Sequence, residues 1–331
     1  MNSKIAGEFK LYEWFNHYLS ESVPKDLPHN WLEKFILPDG SLTASGAHDF
    51  CYRKRLPKDF IIALAGLSDN SRPNITPETL AWLIKCRLIS ADHEITQLGI
   101  VKLAESYPLA KQADFLALPM TVVQTPKDPA LSTEHNAIKH LEKSYVDHFI
   151  LHDEGRMVGT VFYACILAKH EELVAYSNMA NFSLLGDKKY LIGLDKWSFD
   201  CESIEHVCNE IMRMDAPTFC KGFDFATFLH IEAGQDLESR SLHYGADFYL
   251  RLFNNFGPEL LCDLLRTITN HSFLSFPDLT IIGELGVSFI EVKVKDKLSF
   301  NQIYTFILLK ELKKKHDRII DLELVKMIFE T

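Results

Sequence analysis

Two carboxylates and one lysine, Asp278, Glu291 and Lys293, offer the most definite chemistry in this sequence. Asp278 follows Pro277 and opens the apolar run Leu279-Thr280-Ile281-Ile282; a turn over 283–286 leads into Phe289-Ile290-Glu291-Val292-Lys293. Short apolar, β-branched runs on either side of a glycine-bearing turn read as a hairpin. Side chains two residues apart leave a strand on the same face, so Glu291 and Lys293 project together. Carboxylates on neighbouring strands can hold a hard divalent cation such as magnesium. Such a cation polarises a phosphodiester and lowers the pKa of a bound water. A flexible ammonium beside it orients that water or steadies charge growing on the phosphate oxygens. The plain alternative is a surface hairpin with a solvated Glu–Lys pair, since so short a pattern often arises by chance. The apolar strands weigh against it, because charges in a central hairpin are costly without a function.

Elements on both sides must position these residues. After the hairpin comes Asp296-Lys297-Leu298-Ser299-x-x-Gln302, which opens a helix over 299–316, followed by a strand over 322–328, with a helix as the alternative there. Before it, helical spacing predicts helices over 134–145, 156–169, 204–214, 246–256 and 258–269, so that 131–331 form one larger domain. Residues 113–130, with Pro119, Pro126 and Pro129, read as a connector. Residues 1–45 carry two short helices, over 8–19 and 31–36. Residues 47–112 read as a compact helical unit: a helix over 58–67, a second over 78–89 with Thr76 as N-cap and Pro77 at N1, a break at 90–94, and a last helix reaching Glu105. That order, closing on Ile95-Thr96-Gln97-Leu98-Gly99, resembles a winged-helix domain, a type that binds DNA or protein.

Bulk properties set limits. Apolar residues at 47% and charged residues at 24% are those of a folded globular protein. The longest apolar run, 157–168, is about half the length of a bilayer span, so a buried helix is expected and no membrane partner. The first nineteen residues lack a continuous apolar segment and cleavage site, so no signal peptide is expected; a cytoplasmic (nucleoid) or nuclear location follows as the expectation. Seven cysteines with no CxxC pair argue for free thiols rather than a disulfide framework or zinc site. The net charge of −10, concentrated after residue 130, argues against a protein that coats nucleic acid and suits a carboxylate metal site. Any grip on DNA must come from local basic patches. His135, His140, His148 and His152 lack ligand spacing. No P-loop, GxGxxG, HExxH or G-x-S-x-G is present.

Taken together, FPDLTII, FIEVKVKDKLSFNQIYTFILLKEL and the upstream TEHNAIKHLEKSYVDHFILHDEGRMVGTVFYACILA resemble the VRR-NUC branch of the PD-(D/E)XK nucleases, which includes the Fanconi-associated structure-selective nucleases. The resemblance covers about 131–331. It implies an α+β or α/β fold: a helical and winged-helix-like N-terminal region, then a nuclease core with a central mixed sheet flanked by helices. It implies Mg2+ or Mn2+ held by Asp278, Glu291, Glu154 and the Val292 carbonyl, with Lys293 assisting water, Gln302 beside the metal and Glu134 as a further carboxylate. Each added residue has a bland explanation. Glu134 and Glu154 precede helices, where acids favour the dipole. Ser299 and Gln302 form a capping box. Lys310, Lys313, Lys314, Lys315 and Arg318 suit a solvated helix end or a DNA-backbone patch. Arg53, Lys54, Arg55 and Lys58 are equally phosphate contacts or a solvated face. The sequence departs from the family before Asp278, where Asn270-His271-Ser272-Phe273-Leu274-Ser275 replaces an Arg and glycines. It departs again after Lys293, where a Gly-Pro is missing.

The expectation is therefore a phosphodiester hydrolase acting on flapped or branched DNA in repair. A restriction, antiphage or toxin nuclease on duplex DNA is the alternative within enzymes. A non-catalytic DNA- or protein-binding module on an inactive nuclease fold is the alternative outside them.

Overall fold

A computed structural model describes residues 56–69, 71, 75–152, 156–168, 201–232, 237, 242–270 and 275–330. The helices expected over 8–19 and 31–36 lie outside these residues, as do Arg53, Lys54, Arg55 and Glu154. The chain divides into two units, 1–112 and 113–331.

In the first unit, α1 (Lys58–Ser68), α2 (Pro77–Lys85) and α3 (Gln97–Glu105) enclose Phe60, Leu64, Leu83, Leu88, Val101 and Leu103. Thr76 caps α2 by accepting from the Thr79 N–H at 3.2 Å, with Pro77 in the first turn. The helix expected to reach residue 89 stops at Lys85. The backbone turns through a positive φ of 58° at Arg87, which frees Ile89 to bridge antiparallel to Ile95. Thr96 then starts α3: its hydroxyl accepts from Gly99 N–H and donates to Arg87 O at 2.7 Å. Gly99 is required there, since a Cβ would fall 2.1 Å from Leu88 O. A fourth helix, α4 (Leu109–Leu116), runs across the division between the units.

The second unit is built on a five-stranded mixed sheet in the order β1-β5-β4-β3-β2. The strands are β1 (Met120–Pro126), β2 (Phe149–His152), β3 (Leu279–Ile282), β4 (Val287–Lys293) and β5 (Ile319–Glu330). β2, β3 and β4 are antiparallel neighbours, whereas β5 runs parallel to both β4 and β1. A parallel β4–β5 pair needs a long crossover, and α11 (Phe300–Lys315) supplies it. Between β1 and β3 the chain forms α5 (Thr133–Leu141), α6 (Arg156–Ala168), α7 (Cys201–Met212), α8 (Ala216–Glu232), α9 (Ala246–Phe256) and α10 (Pro258–Asn270).

Period-two alternation divides the sheet's side chains between two faces. Val123, Leu279, Ile281, Ile290, Val292, Val325 and Met327 form one face and pack on Ala137 and Leu141 of α5. The opposite face carries Phe289, whose ring lies 6.4 Å from Phe256 of α9 and 6.0 Å from Phe276. Glu291 shares that face and meets α11 there.

The expectation for 113–130 is corrected. The segment is no connector but holds β1, an edge strand joined to β5 over its full length. Pro126 is tolerated because it ends an edge strand. β2 and α8 also add to the expected elements. Asp215 accepts from Thr218 N–H at 2.9 Å and starts α8. α8 lies directly on α6, and Gly222 sets their separation: an added Cβ would fall 2.1 Å from Ala164 O and 2.7 Å from Ala168 N. Alanine raises helix propensity by about 1 kcal/mol, yet backbone atoms cannot yield to such overlap. Gly222→Ala is expected to destabilise the protein by about 2 kcal/mol, read as a lower urea midpoint with unchanged slope.

Among the described residues no helix is long and apolar enough to cross a membrane.

Candidate metal centre

The site forms where the β3–β4 hairpin opens. Leu279 pairs with Ile290, so one step further the antiparallel register sets Asp278 opposite Glu291. Their carboxyls come within hydrogen-bonding range. Asp278 Oδ2 accepts from the Val292 N–H at 2.9 Å, which fixes the carboxyl across the hairpin. Lys293 leaves β4 on the same face as Glu291, and its Nζ stands 2.6 Å from Glu291 Oε1. The three residues singled out by spacing are therefore together.

Gln302 joins them with both ends of its amide. Its Oε1 accepts from Ser299 N–H at 3.0 Å, and Ser299 Oγ accepts from Gln302 N–H, closing the capping box of α11. Its Nε2 donates to Glu291 Oε1. The two readings of Gln302 are compatible because the amide has an acceptor and a donor. A glutamate would complete the same capping box but set an anion against Glu291.

Burial and charge make the centre electrostatically strained. Glu291 is fully buried, and Oε2 has no hydrogen-bond partner among the described residues. Burial, then the negative charge of Asp278, pushes its carboxyl up to about 7 despite Lys293. Burial likewise raises Asp278, with the charge of Glu134 adding to it. Two neighbouring acids, both raised by burial and Glu291 raised further by the charge of Asp278, with one oxygen orphaned, offer hard oxygen donors of the kind that suit Mg2+ or Mn2+. Among the described residues no group of three or more His, Cys, Asp or Glu side chains converges at metal-holding distance. The third expected carboxylate, Glu154, lies outside those residues.

Glu134 occupies the first turn of α5 and is close enough to Asp278 to act on its charge. Burial opposes its ionisation. A hydrogen bond from its own backbone N–H, the Ser132 hydroxyl and the neighbouring His152 and His135 outweigh that, holding it below its ordinary value. The imidazoles of His135 and His152 meet edge to face with centroids 5.6 Å apart. Sequence spacing gave these histidines no role. Their proximity depends on β2 ending beside Leu279, a register that pairs His152 with that residue.

Within the second unit, the lysines towards the end of α11 stand apart from this centre. Lys313 lies eleven residues beyond Gln302 on α11, about 16 Å along the axis. Its ammonium donates to Ile320 O and faces Asp321 at 3.8 Å, while Lys310 donates to Leu116 O. Lys315 and His316 meet Asp263 of α10 at 2.5 and 2.7 Å. These groups fasten α11 to its neighbours; Lys314 is exposed. Lys58 is exposed on α1. One basic residue escaped sequence reasoning altogether: Lys326 of β5 stands beside Lys293 in the β4–β5 register.

No protein-family model matches the chain, and no curated protein matches it.

Proposed function

We propose that the protein is a Mg2+- or Mn2+-dependent DNA nuclease with a PD-(D/E)XK core of the VRR-NUC type. The observation that carries this reading is the fully buried Glu291 carboxylate, set opposite Asp278 and tied to Lys293 and Gln302, with one oxygen left without a partner. Burying an unpaired carboxylate oxygen beside a second acid is costly. A cation-binding role explains why the sequence keeps that arrangement.

Asp278, Glu291, Glu154 and the Val292 carbonyl would hold the metal, with Glu134 as an outer carboxylate. The metal, when bound, supplies a water of lowered pKa and neutralises charge on the scissile phosphate. Gln302 keeps the Glu291 carboxylate oriented through Oε1 and leaves Oε2 without a partner among the described residues. Lys293 holds a positive charge beside Glu291, where it can steady the attacking water or the developing phosphorane oxygens. Asp278 is held in place by the Val292 N–H.

The first unit is read as the DNA-handling partner. Three helices with an antiparallel bridge between the second and third are compatible with a winged helix. Arg53, Lys54, Arg55 and Lys58 are its proposed phosphate contacts, and a protein partner is the other use of the same surface. The substrate is proposed to be flapped or branched DNA in a repair setting.

A cleavage panel of 5′ flap, fork, nicked and plain duplex DNA, run with Mg2+, Mn2+ and chelator, tests this. Cutting of flap or fork that needs the cation and exceeds cutting of duplex is expected. Equal cutting of plain duplex would replace repair by a restriction, antiphage or toxin role. Binding without cutting under any cation would leave only the non-catalytic reading.

A further inference from the structure

We infer that Lys326 and the uncovered β5–β1 edge beside Lys293 hold the DNA backbone next to the cleaved phosphodiester, an inference that rests on the nuclease reading above. In the parallel register Lys293 pairs with Lys326, and Lys326 pairs in turn with Val122 of β1. Residues paired in this way project from the same face, so the two ammonium stems leave adjacent strands about 4.8 Å apart.

Like charges set directly across neighbouring strands destabilise a sheet. Lys293 is compensated by Glu291 at 2.6 Å, and its side chain is only 14% exposed. Lys326 is half-buried, and its ammonium has no ion pair or hydrogen bond among the described residues. A second cation therefore stands beside the first with no described carboxylate to balance it. An anion arriving between Lys293 and Lys326 would balance Lys326, and the anion that a nuclease brings there is a phosphodiester.

The surroundings favour a polymer over a small ion. Towards the start of β5 this face is covered, with Leu322 and Leu324 buried. At Lys326 the cover ends: Val122 is 50% exposed, Ile328 is 38% exposed, and Gln124, which pairs with Ile328, is exposed as well. Exposure thus widens from Lys293, whose side chain is 14% exposed, across Lys326 to the sheet edge. Lys326 supplies charge for a phosphate, Gln124 a hydrogen-bonding group, and Val122 and Ile328 apolar surface for sugar or base. Phosphate contacts of this kind position a nucleic acid without reading its sequence.

The test is steady-state cleavage of flap DNA by the full chain in Mn2+ over a series of salt concentrations, for the unaltered protein, Lys326→Ala and Lys326→Arg. Loss of one phosphate contact is expected to raise KM about tenfold and to reduce the slope of log KM against log salt by about one. The value of kcat should change by less than about threefold, since the contact serves ground state and transition state alike, and Lys326→Arg should restore KM and slope. An unchanged KM and salt slope in Lys326→Ala would overturn the inference while leaving the nuclease reading intact. A fall in kcat that Lys326→Arg does not repair would overturn it too, by showing a structural role. If the unaltered protein cuts no DNA, the nuclease reading fails and takes this inference with it.

Discussion

Asp278→Ala is expected to lower cation-dependent DNA cleavage by about a thousandfold or more, because it removes half of the acidic pair proposed to hold the metal. The effect should reside in chemistry and not in folding. Asp278 sits at the mouth of the hairpin, where its main structural contribution is one bond to the Val292 N–H. Losing that bond costs about 1 kcal/mol, which most domains tolerate. Single-turnover rates at saturating Mn2+, with a thermal melt of each protein, separate the two contributions. Asp278→Asn sharpens the comparison, since its amide oxygen can still accept from Val292 while the charge is gone. Both variants should melt near the unaltered protein and cut almost nothing. Cleavage within a few-fold of normal by either would remove Asp278 from the site.

Glu291→Gln is expected to do two opposite things: abolish cleavage, and stabilise the metal-free protein at neutral to alkaline pH. The folded-state pKa of Glu291 is raised from 4.5 to about 7. A raised carboxyl is harmless below its unfolded value, where both states carry the proton. As pH climbs from there through 7, the unfolded chain ionises freely while the folded chain must ionise a buried acid. The metal-free protein therefore loses stability across that window, by up to about 3 kcal/mol. The variant is neutral and escapes this loss, and its amide can still accept from Lys293 and Gln302. Urea midpoints measured from pH 5 to pH 9 in chelator should fall for the unaltered protein and stay nearly level for Glu291→Gln. Added Mg2+ should restore the unaltered protein at high pH and leave the variant unmoved. Parallel pH curves for the two would show that Glu291 is not strained in the way its surroundings imply.

The same residues show what can be read without coordinates. Asp278, Glu291 and Lys293 come together because a hairpin is a local object: its register follows from a short turn between apolar runs, and period-two alternation assigns its faces. The helix starts at Thr76 and Ser299 were legible for the same reason, each being one side chain bonding a backbone N–H three residues on. Long-range pairing was not legible. β1 sits between Pro119 and Pro126 and alternates only weakly in burial, so its prolines suggested a connector. Only its parallel pairing with β5, two hundred residues on, makes it a strand. β2 is four residues long and takes its meaning from β3. Lys326 had no signal, because its place beside Lys293 depends on how α11 returns the chain. The start of α8 did carry one, Asp215 followed by Pro217, which is the cap-and-proline pattern that marked α2.

Whether Asp278 and Glu291 together hold a divalent cation decides the function of the site. Titration of Mn2+ into the full chain with flap DNA present, followed by the loss of the free Mn2+ electron paramagnetic resonance signal, measures this directly. The unaltered protein should remove at least one Mn2+ per chain from solution, and Asp278→Ala and Glu291→Gln should each lose that binding. Equal Mn2+ uptake by all three proteins, or none by the unaltered one, would contradict the account.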